Sequence, residues 1–307
     1  MNPAIETREL TRRFGKFVAL DQLDLSVPRG AIFGLLGPNA AGKSTAIRLL
    51  AGILRADSGE ADILGLNLNT QAEQIKRRIG YVAQHFALYP DLTVDENISF
   101  YGGLYGINDA QRRHKLLDLY DLAQFSKRRA GHLSGGYQRR LAIAAATMHD
   151  PELIFLDEPT AGIDPVTRKE LWDLFYALSA GGKTLFVTTH YMEEAERCHR
   201  LAFLNRGKLV AQGSPGDIRN SLTGIQVYLA RIAHNPDLNR DLMQTAGVQL
   251  VNQFGDDLRI IARNSVSREQ LQQVTDRYSE QPRDVVPVET SIEDAFMSIT
   301  SEPAASQ

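Results

Sequence analysis

The stretch GPNAAGKST, residues 37 to 45, sets a glycine-rich turn directly ahead of a lysine and two hydroxyls. It fits the pattern G-x-x-x-x-G-K-[ST], with an apolar run, AIFGLLG, before it and a helical run, KSTAIRLLAGI, after it. That is the context in which the pattern binds phosphate. Along Gly37, Pro38, Asn39, Ala40, Ala41 and Gly42, the available backbone N–H groups and the positive end of the following helix face an anion. Gly42 lets the chain approach closely, Lys43 brings a point charge, Ser44 offers a hydroxyl suited to magnesium, and Thr45 adds a donor. The plainer alternative is a tight strand-to-helix turn carrying an exposed lysine.

A second group closes the run LIFLDE, where Asp157 and Glu158 stand at the C-terminal edge of a buried strand. Ligands of open α/β sheets gather at such edges. Asp157 is suited to hold magnesium through water, and Glu158 to orient or polarise the water that attacks a γ-phosphate. Taken without the glycine-rich loop, the pair also reads as a solvated acidic turn ahead of Pro159. A third group is LSGGYQ, residues 133 to 138, ahead of the helical run YQRRLAIAAATM. Ser134, with the unhindered amides of Gly135 and Gly136, forms another helix N-terminus that favours an anion, and by itself this is an ordinary helix cap.

Together the three groups resemble the ATPase family of ABC transporters, and the rest of that family's set follows in the expected order. Gln84 in YVAQ resembles its Q-loop glutamine, AGIDP its D-loop with Asp164, and His190 in VTTHYMEEAE its switch histidine. Alone, Gln84 or His190 would read as a polar residue at a strand end. The resemblance covers about residues 3 to 220 and extends more weakly beyond. It is similar above all to the free-standing ATP-binding subunits of the drug, antibiotic and polymer exporter branch.

The resemblance implies ATP and Mg2+, with Glu158 as general base or water-positioner, Lys43 and His190 at the phosphates, and Gln84 as a magnesium contact and nucleotide-sensing lever. It also implies a dimer, either a homodimer or a pairing with a closely related ATPase subunit. Ser134, Gly135, Gly136 and Asp164 then reach the nucleotide held by the other subunit. The implied partner is a separate polytopic transmembrane permease, with this chain peripheral on the cytoplasmic face of the cell membrane. HFALYPDLTVDENISFYGGLYG, after Gln84, would receive a helix of that permease; an ordinary helical subdomain core is its other reading. Two positions depart from the family pattern. Ala40 stands where glycine is usual, and a positive φ there would cost roughly 1 kcal/mol and weaken nucleotide binding modestly. Phe14 in RRFGKF stands where a tyrosine commonly stacks on adenine; Phe17 competes for that role, and both have flap core as an alternative.

These residues need a scaffold of buried strands. AIFGLLG, RIGYVAQ, ELIFLDE and TLFVTTH read as strands, several too uniformly apolar for a wet face. Between them lie helical runs: KSTAIRLLAGI, DENISFYGGLY, DAQRRHKLLDLYDLAQF, YQRRLAIAAATMH and PVTRKELWDLFYAL. The alternation predicts an α/β fold with parallel central strands, here a P-loop NTPase core. AIETRELTRRF and FVALDQLDLSV alternate polar and apolar and predict an antiparallel β flap. The cassette is expected over residues 1–220, with a helical signature subdomain at about 86–150. Beyond it, GIQVYLA, VQLVNQF and LRIIAR, with helical DLNRDLMQTAG and SREQLQQVTDRY, predict a small C-terminal α+β domain over 221–300. SIEDAFMSIT closes it, with Ser291 and Asp294 as a capping box and Ile292, Ala295, Phe296 and Ile299 as one apolar face; 301–307 reads as a disordered tail.

Composition narrows the function classes. With 43% hydrophobic and 23% charged residues and a net charge of -3, the chain offers no global basic field, so a polyanion site is local and no nucleic-acid partner is expected. Its single cysteine, Cys198, excludes an internal disulfide framework and a cysteine-built metal site. No basic start followed by an apolar stretch marks a signal peptide, and no run of 18 uncharged apolar residues marks a membrane span, so spanning falls to another chain. The rival reading is a soluble ABC ATPase acting on nucleic acid or the ribosome. Against it, Ser134 follows Gln84 by only 50 positions, too few for a long coiled-coil insertion, and no zinc pattern or basic tail appears. A regulatory cassette that binds ATP without hydrolysis is a third reading, opposed by the presence of Glu158 and His190.

Overall fold

The computed structural model describes residues 2–221, 224–233, 235–279 and 284–301; the expected tail beyond Ser301 lies outside them. The chain divides into two compact units, Met1–Ser214 and Pro215–Gln307. The division precedes the composition boundary near 220 because the short helix after Ser214 packs against the closing helix of the second unit.

The first unit runs through β1 (Ile5–Phe14), β2 (Phe17–Val27), β3 (Ile32–Leu36), α1 (Lys43–Leu50), β4 (Ser58–Ile63), β5 (Leu66–Asn67), α2 (Leu68–Lys76) and β6 (Ile79–Val82). It continues with α3 (Val94–Leu104), α4 (Ala110–Leu119), α5 (Gly135–Thr147), β7 (Leu153–Asp157), α6 (Pro165–Ala180), β8 (Thr184–Thr189), α7 (Met192–Ala195), β9 (Arg200–Asn205) and β10 (Lys208–Gly213). Its six-stranded sheet has the order β10-β9-β3-β8-β7-β6, parallel except for β10 at one edge.

Every residue of β3, β7 and β8 is buried. Successive side chains of these strands enter different cores. Phe33, Leu35, Leu153, Phe155 and Phe186 join the core under the flap and α1. Ile32, Ile154, Leu156, Leu185 and Val187 join the core built with α3, α5 and α6. A strand covered on both faces has no position for a polar residue until it reaches its end, which is why these runs stay apolar and then break into Asp157-Glu158 and into His190.

The antiparallel flap has the order β2-β1-β4-β5. Its strands β4 and β5, and helix α2 after them, escape the sequence reading, because SGEADI is short and mostly polar, with only Ala61 and Ile63 buried. The run DAQRRHKLLDLYDLAQF is not one helix. It stops at Leu119, Asp121 takes a left-handed φ of 54°, and a separate 3-10 turn covers Ala123–Phe125. The fully buried Tyr120 lies at the break, its hydroxyl 2.8 Å from that of Thr147 on α5.

The second unit contains α8 (Pro215–Asn220), β11 (Ile225–Ala230), α9 (Pro236–Gln244), β12 (Val248–Phe254), β13 (Asp257–Arg263), α10 (Arg268–Asp276), β14 (Val285–Val288) and α11 (Ile292–Ser301). Its strands pair antiparallel in the order β12-β13-β11-β14, the split β-α-β arrangement. Leu258, Ile260 and Ala262 of β13 form its core with Leu238 and Leu242 of α9 and Leu271 of α10. Strand β14 was hidden by Pro287, which the sheet tolerates because β14 is an edge. Ser291 and Asp294 cap α11 reciprocally, and Asp294 also takes both ends of the Arg259 guanidinium, at 2.7 and 2.6 Å. The buried stripe of α11 is accordingly Ile292, Asp294, Ala295 and Ser298, with Phe296 and Ile299 only half-buried. Among the described residues, no helix is long and apolar enough to cross a membrane.

Candidate active site

The loop between β3 and α1 is shaped by close backbone approaches. A Cβ on Gly37 would lie 2.2 Å from the carbonyl oxygen of Leu204 on β9, and one on Gly42, at a φ of 108°, would lie 2.4 Å from that of Ala19 on β2. Between them Ala40 holds a φ of 63°, so the left-handed strain foreseen for an alanine at this position is present. Lys43 is buried, and its Nζ donates to the carbonyls of Gly37 at 2.8 Å and Pro38 at 3.1 Å. Burial holds its pKa below the ordinary lysine value, with the charges of Glu158 and then Asp157 working in the opposite direction.

At the tips of β7 and β8 a single hydroxyl arranges two acids. Thr188 Oγ1 donates to Asp157 Oδ1 at 2.7 Å and accepts the backbone N–H of Glu158 at 2.9 Å. Ser44 Oγ donates to the same Asp157 oxygen at 3.2 Å. Asp157 is fully buried, yet its Oδ2 has no hydrogen-bond partner. Three further side chains converge on Glu158. Gln84 Nε2 donates to its Oε2 at 3.0 Å, Lys43 Nζ lies 3.6 Å from its Oε1, and His190 Nδ1 lies 3.3 Å from its Oε2. The His190 nitrogen lacks hydrogen-bond geometry to that oxygen and has no other partner. A cavity of about 280 Å³ opens beside this group, lined by residues 39–45, Gln84, Glu158, Phe17 and Ala19.

The two candidates for adenine stacking differ in position. Phe17 lines that cavity and Phe14 does not. The two pair across the β1–β2 hairpin, and the Arg12 guanidinium lies over the Phe14 ring at 4.7 Å.

Ser134, Gly135, Gly136 and Asp164 do not line the cavity either. Ser134 and Gly135 are exposed, and although Ser134 occupies the N-cap of α5 its hydroxyl makes no cap hydrogen bond. A Cβ on Gly136 would fall 2.4 Å from Thr167 Cγ2 on α6, so α5 and α6 meet at a point with room only for glycine. Asp164 caps α6, accepting the backbone N–H groups of Val166 and Thr167 at 3.1 and 3.0 Å, and these bonds lower its carboxyl pKa.

Sequence reasoning passed over Thr188, Asn97 and Arg139. Fully buried Asn97 accepts the backbone N–H of Tyr89 and donates to the carbonyls of Tyr89, Leu92 and Thr93, folding the segment after Gln84 onto α3. Arg139 on α5 donates to the carbonyls of Ala83 and Gln84, each at 2.7 Å. The available signal was a polar residue on an otherwise packed face, as in ENI and VTTH. Nearby, a groove of about 360 Å³ runs between β6, α3 and α5, walled by Tyr101, Tyr105, His149 and residues 79–83.

Comparison with known proteins agrees with this geometry. The family model described as "ABC transporter" matches residues 20–161. The chain is 34% identical to the daunorubicin/doxorubicin resistance ATP-binding protein DrrA of Streptomyces peucetius, over 98% of this chain and 93% of that protein. It is 40% identical to the Nod factor export ATP-binding protein I of Cupriavidus pinatubonensis, over 73% of this chain and 70% of that protein. Against the "Probable multidrug ABC transporter ATP-binding protein YbhF" of Escherichia coli it is 43% identical over 70% of its own length, but spans only 38% of that longer protein. Among solved structures, a dimeric post-hydrolysis ATP-binding cassette bound to ADP and Pi superposes with a TM-score of 0.63 at 28% identity, covering 68% of this chain and 98% of that one. A nucleotide-free cassette of an ABC transporter gives a TM-score of 0.65 at 27% identity, covering 72% and 95%.

Proposed function

The chain belongs to the ABC transporter family, as one of its ATP-binding subunits with the ATPase cassette, and from that premise we propose that it hydrolyses ATP at the seam of a dimer to drive export through a separate membrane-spanning subunit. The observation that carries this reading is the convergence of Lys43, Gln84 and His190 on Glu158, beside a loop of backbone amides. Glu158 orients and deprotonates the attacking water, His190 contacts the γ-phosphate, and Gln84 senses the nucleotide from the rim. A triphosphate offers the Lys43 ammonium a fuller counter-charge than the two loop carbonyls it now holds.

The residues fit Mg2+. The unpartnered Oδ2 of buried Asp157, next to the Ser44 hydroxyl, is an acceptor with its second lone-pair set unused. Ser44, with Asp157 through water and Gln84, would hold the ion, which when bound neutralises charge on the β- and γ-phosphates.

The second half of the site comes from another subunit, identical or closely related. Ser134, Gly135 and Gly136 lie outside the cavity, the first two exposed, with the Ser134 hydroxyl uncommitted. Asp164 reports across the same seam. ATP binding energy is then realised only in the closed pair, and cleavage to like-charged products lets the halves part. The groove beside Tyr101 and Tyr105, with the exposed Phe100 and Leu104 on α3, receives the permease from the cytoplasmic face of the membrane. Export is favoured over import by relatives named for drug resistance and Nod factor export.

The decisive measurement is Glu158→Gln. Turnover falls by about 10²-fold or more while ATP-dependent dimers accumulate; turnover within a few-fold of wild type removes Glu158 from the mechanism. Lys43→Ala serves as the binding control.

A further inference from the structure

We propose that Arg139 is the positioning residue that ties the nucleotide-sensing loop of one site to the signature residues serving the other. The inference rests on the dimeric ATPase reading. Arg139 stands on α5, the helix whose N-terminus carries Ser134, Gly135 and Gly136. Its planar fork takes the carbonyls of two successive residues, Ala83 and Gln84, at 2.7 Å each. Gln84 in turn reaches Glu158 with its side chain at 3.0 Å. The connection is therefore continuous, from the acid beside the γ-phosphate, through the amide and backbone of Gln84, into the guanidinium and along the helix to Ser134.

The chemistry of the clamp makes it a transmitter. The guanidinium is set among carbonyls rather than on a carboxylate, and burial pushes its pKa down, with Asp157 as the opposing charge. A half-buried cation whose acceptors are two backbone carbonyls has to follow them when the peptide between Ala83 and Gln84 turns, because leaving them strands the charge. The fork also demands both carbonyls in one plane, which a lysine ammonium does not. A change in where Gln84 points is thus passed to the tilt of α5, and so to how Ser134 and Gly136 are offered to the nucleotide of the partner subunit.

The test is a double-mutant cycle in the full-length chain with Glu158 intact, reading the dimer dissociation constant by sedimentation with a non-hydrolysable ATP analogue. Arg139→Lys is expected to weaken the dimer about ten-fold or more, while affinity of the monomer for a fluorescent ATP analogue stays within about two-fold. In a chain already carrying Gln84→Ala, which cuts the link to Glu158, adding Arg139→Lys is expected to change the dimer constant by less than about two-fold. Equal weakening in both backgrounds would show that Arg139 merely braces α5, and overturns the proposal. Thermal melting checks that Arg139→Lys is folded; if it is not, Arg139→Gln is read by the same cycle and the same criterion. Failure of the wild-type chain to pair with the analogue is a distinct result, which overturns the dimer reading and this inference with it.

Discussion

The Nζ of Lys43 and Oε1 of Glu158 lie 3.6 Å apart, with the two side chains 5% and 9% exposed. The lysine of the glycine-rich loop and the acid at the end of β7 are thus electrostatic neighbours.

The burial of Lys43 gives nucleotide binding a pH dependence, against which the neighbouring Glu158 charge works. Burial sets the Lys43 pKa below its ordinary 10.5, and a bound polyphosphate raises it again, so binding takes up a proton wherever Lys43 has lost one. Affinity for ATP or ADP is expected to fall as pH rises through the depressed value, and to stay flat in Lys43→Arg. The folding term has the opposite slope. Between the folded value and 10.5 only the unfolded chain holds the proton, so unfolding free energy rises with pH across that window. Calorimetric titration of ADP from about pH 7 to about pH 10 decides the first point; a flat profile for wild type refutes it.

Ala40, at a φ of 63°, invites a gain. Replacement by glycine relieves left-handed strain of about 1–2 kcal/mol and gives back about 0.4–1 kcal/mol through the unfolded chain. Ala40→Gly is expected to stabilise the cassette by about 0.5–1 kcal/mol and to tighten nucleotide binding slightly, as read by thermal melting with and without ADP. A lower melting temperature would mean that the loop relaxes around alanine without strain.

Gly136 has a structural duty separable from nucleotide contact. Gly136→Ala pushes a methyl group to 2.4 Å from Thr167 Cγ2, and overpacking of this kind costs about 1–3 kcal/mol. Thr167→Ala, which removes the opposing methyl, is expected to restore the stability of Gly136→Ala in urea melts without necessarily restoring turnover. No recovery would place the clash elsewhere.

In the second unit, Asp294 joins the cap of α11 to Arg259 while only 4% of its side chain is exposed. Truncation leaves the guanidinium without its bidentate partner, so Asp294→Ala is expected to cost about 3 kcal/mol in the stability of that unit. Faster limited proteolysis near residues 289–301, with the cassette intact, is the readout; an unchanged digestion pattern counts against it.

The legible parts of this molecule are those where a strand is buried on both faces and ends in chemistry. LIFLDE and TLFVTTH declared both their depth and their terminal polar residues, because a continuous apolar run admits no other place for Asp157, Glu158 or His190. SGEADI carried no such signal, since β4 pairs with β1 and buries only Ala61 and Ile63 at its far end. Helix α4 was drawn too long because periodicity continues through Tyr120 while the backbone reverses at Asp121, a turn that depends on packing against α5. Within the candidate site, the motif residues could be placed by pattern, but those that hold them, such as Thr188 and Arg139, act through backbone and short hydroxyl contacts that any spacing would permit. That Phe17 rather than Phe14 lines the cavity follows from a hairpin register that neither composition nor alternation encodes.

Thr188 has one side-chain oxygen, and the Asp157 carboxylate and the Glu158 backbone amide both bond to it. Asp157 is held as acceptor and the Glu158 amide as donor by the same atom on β8, and the amide also reaches the Thr188 carbonyl at 3.2 Å, so displacement of that strand carries the Asp157 carboxylate and the Glu158 backbone together. Retuning one of them alone has to come from the flanks, from the amide of Gln84 or the ring of His190, and a Thr188→Val change is felt at both acids at once.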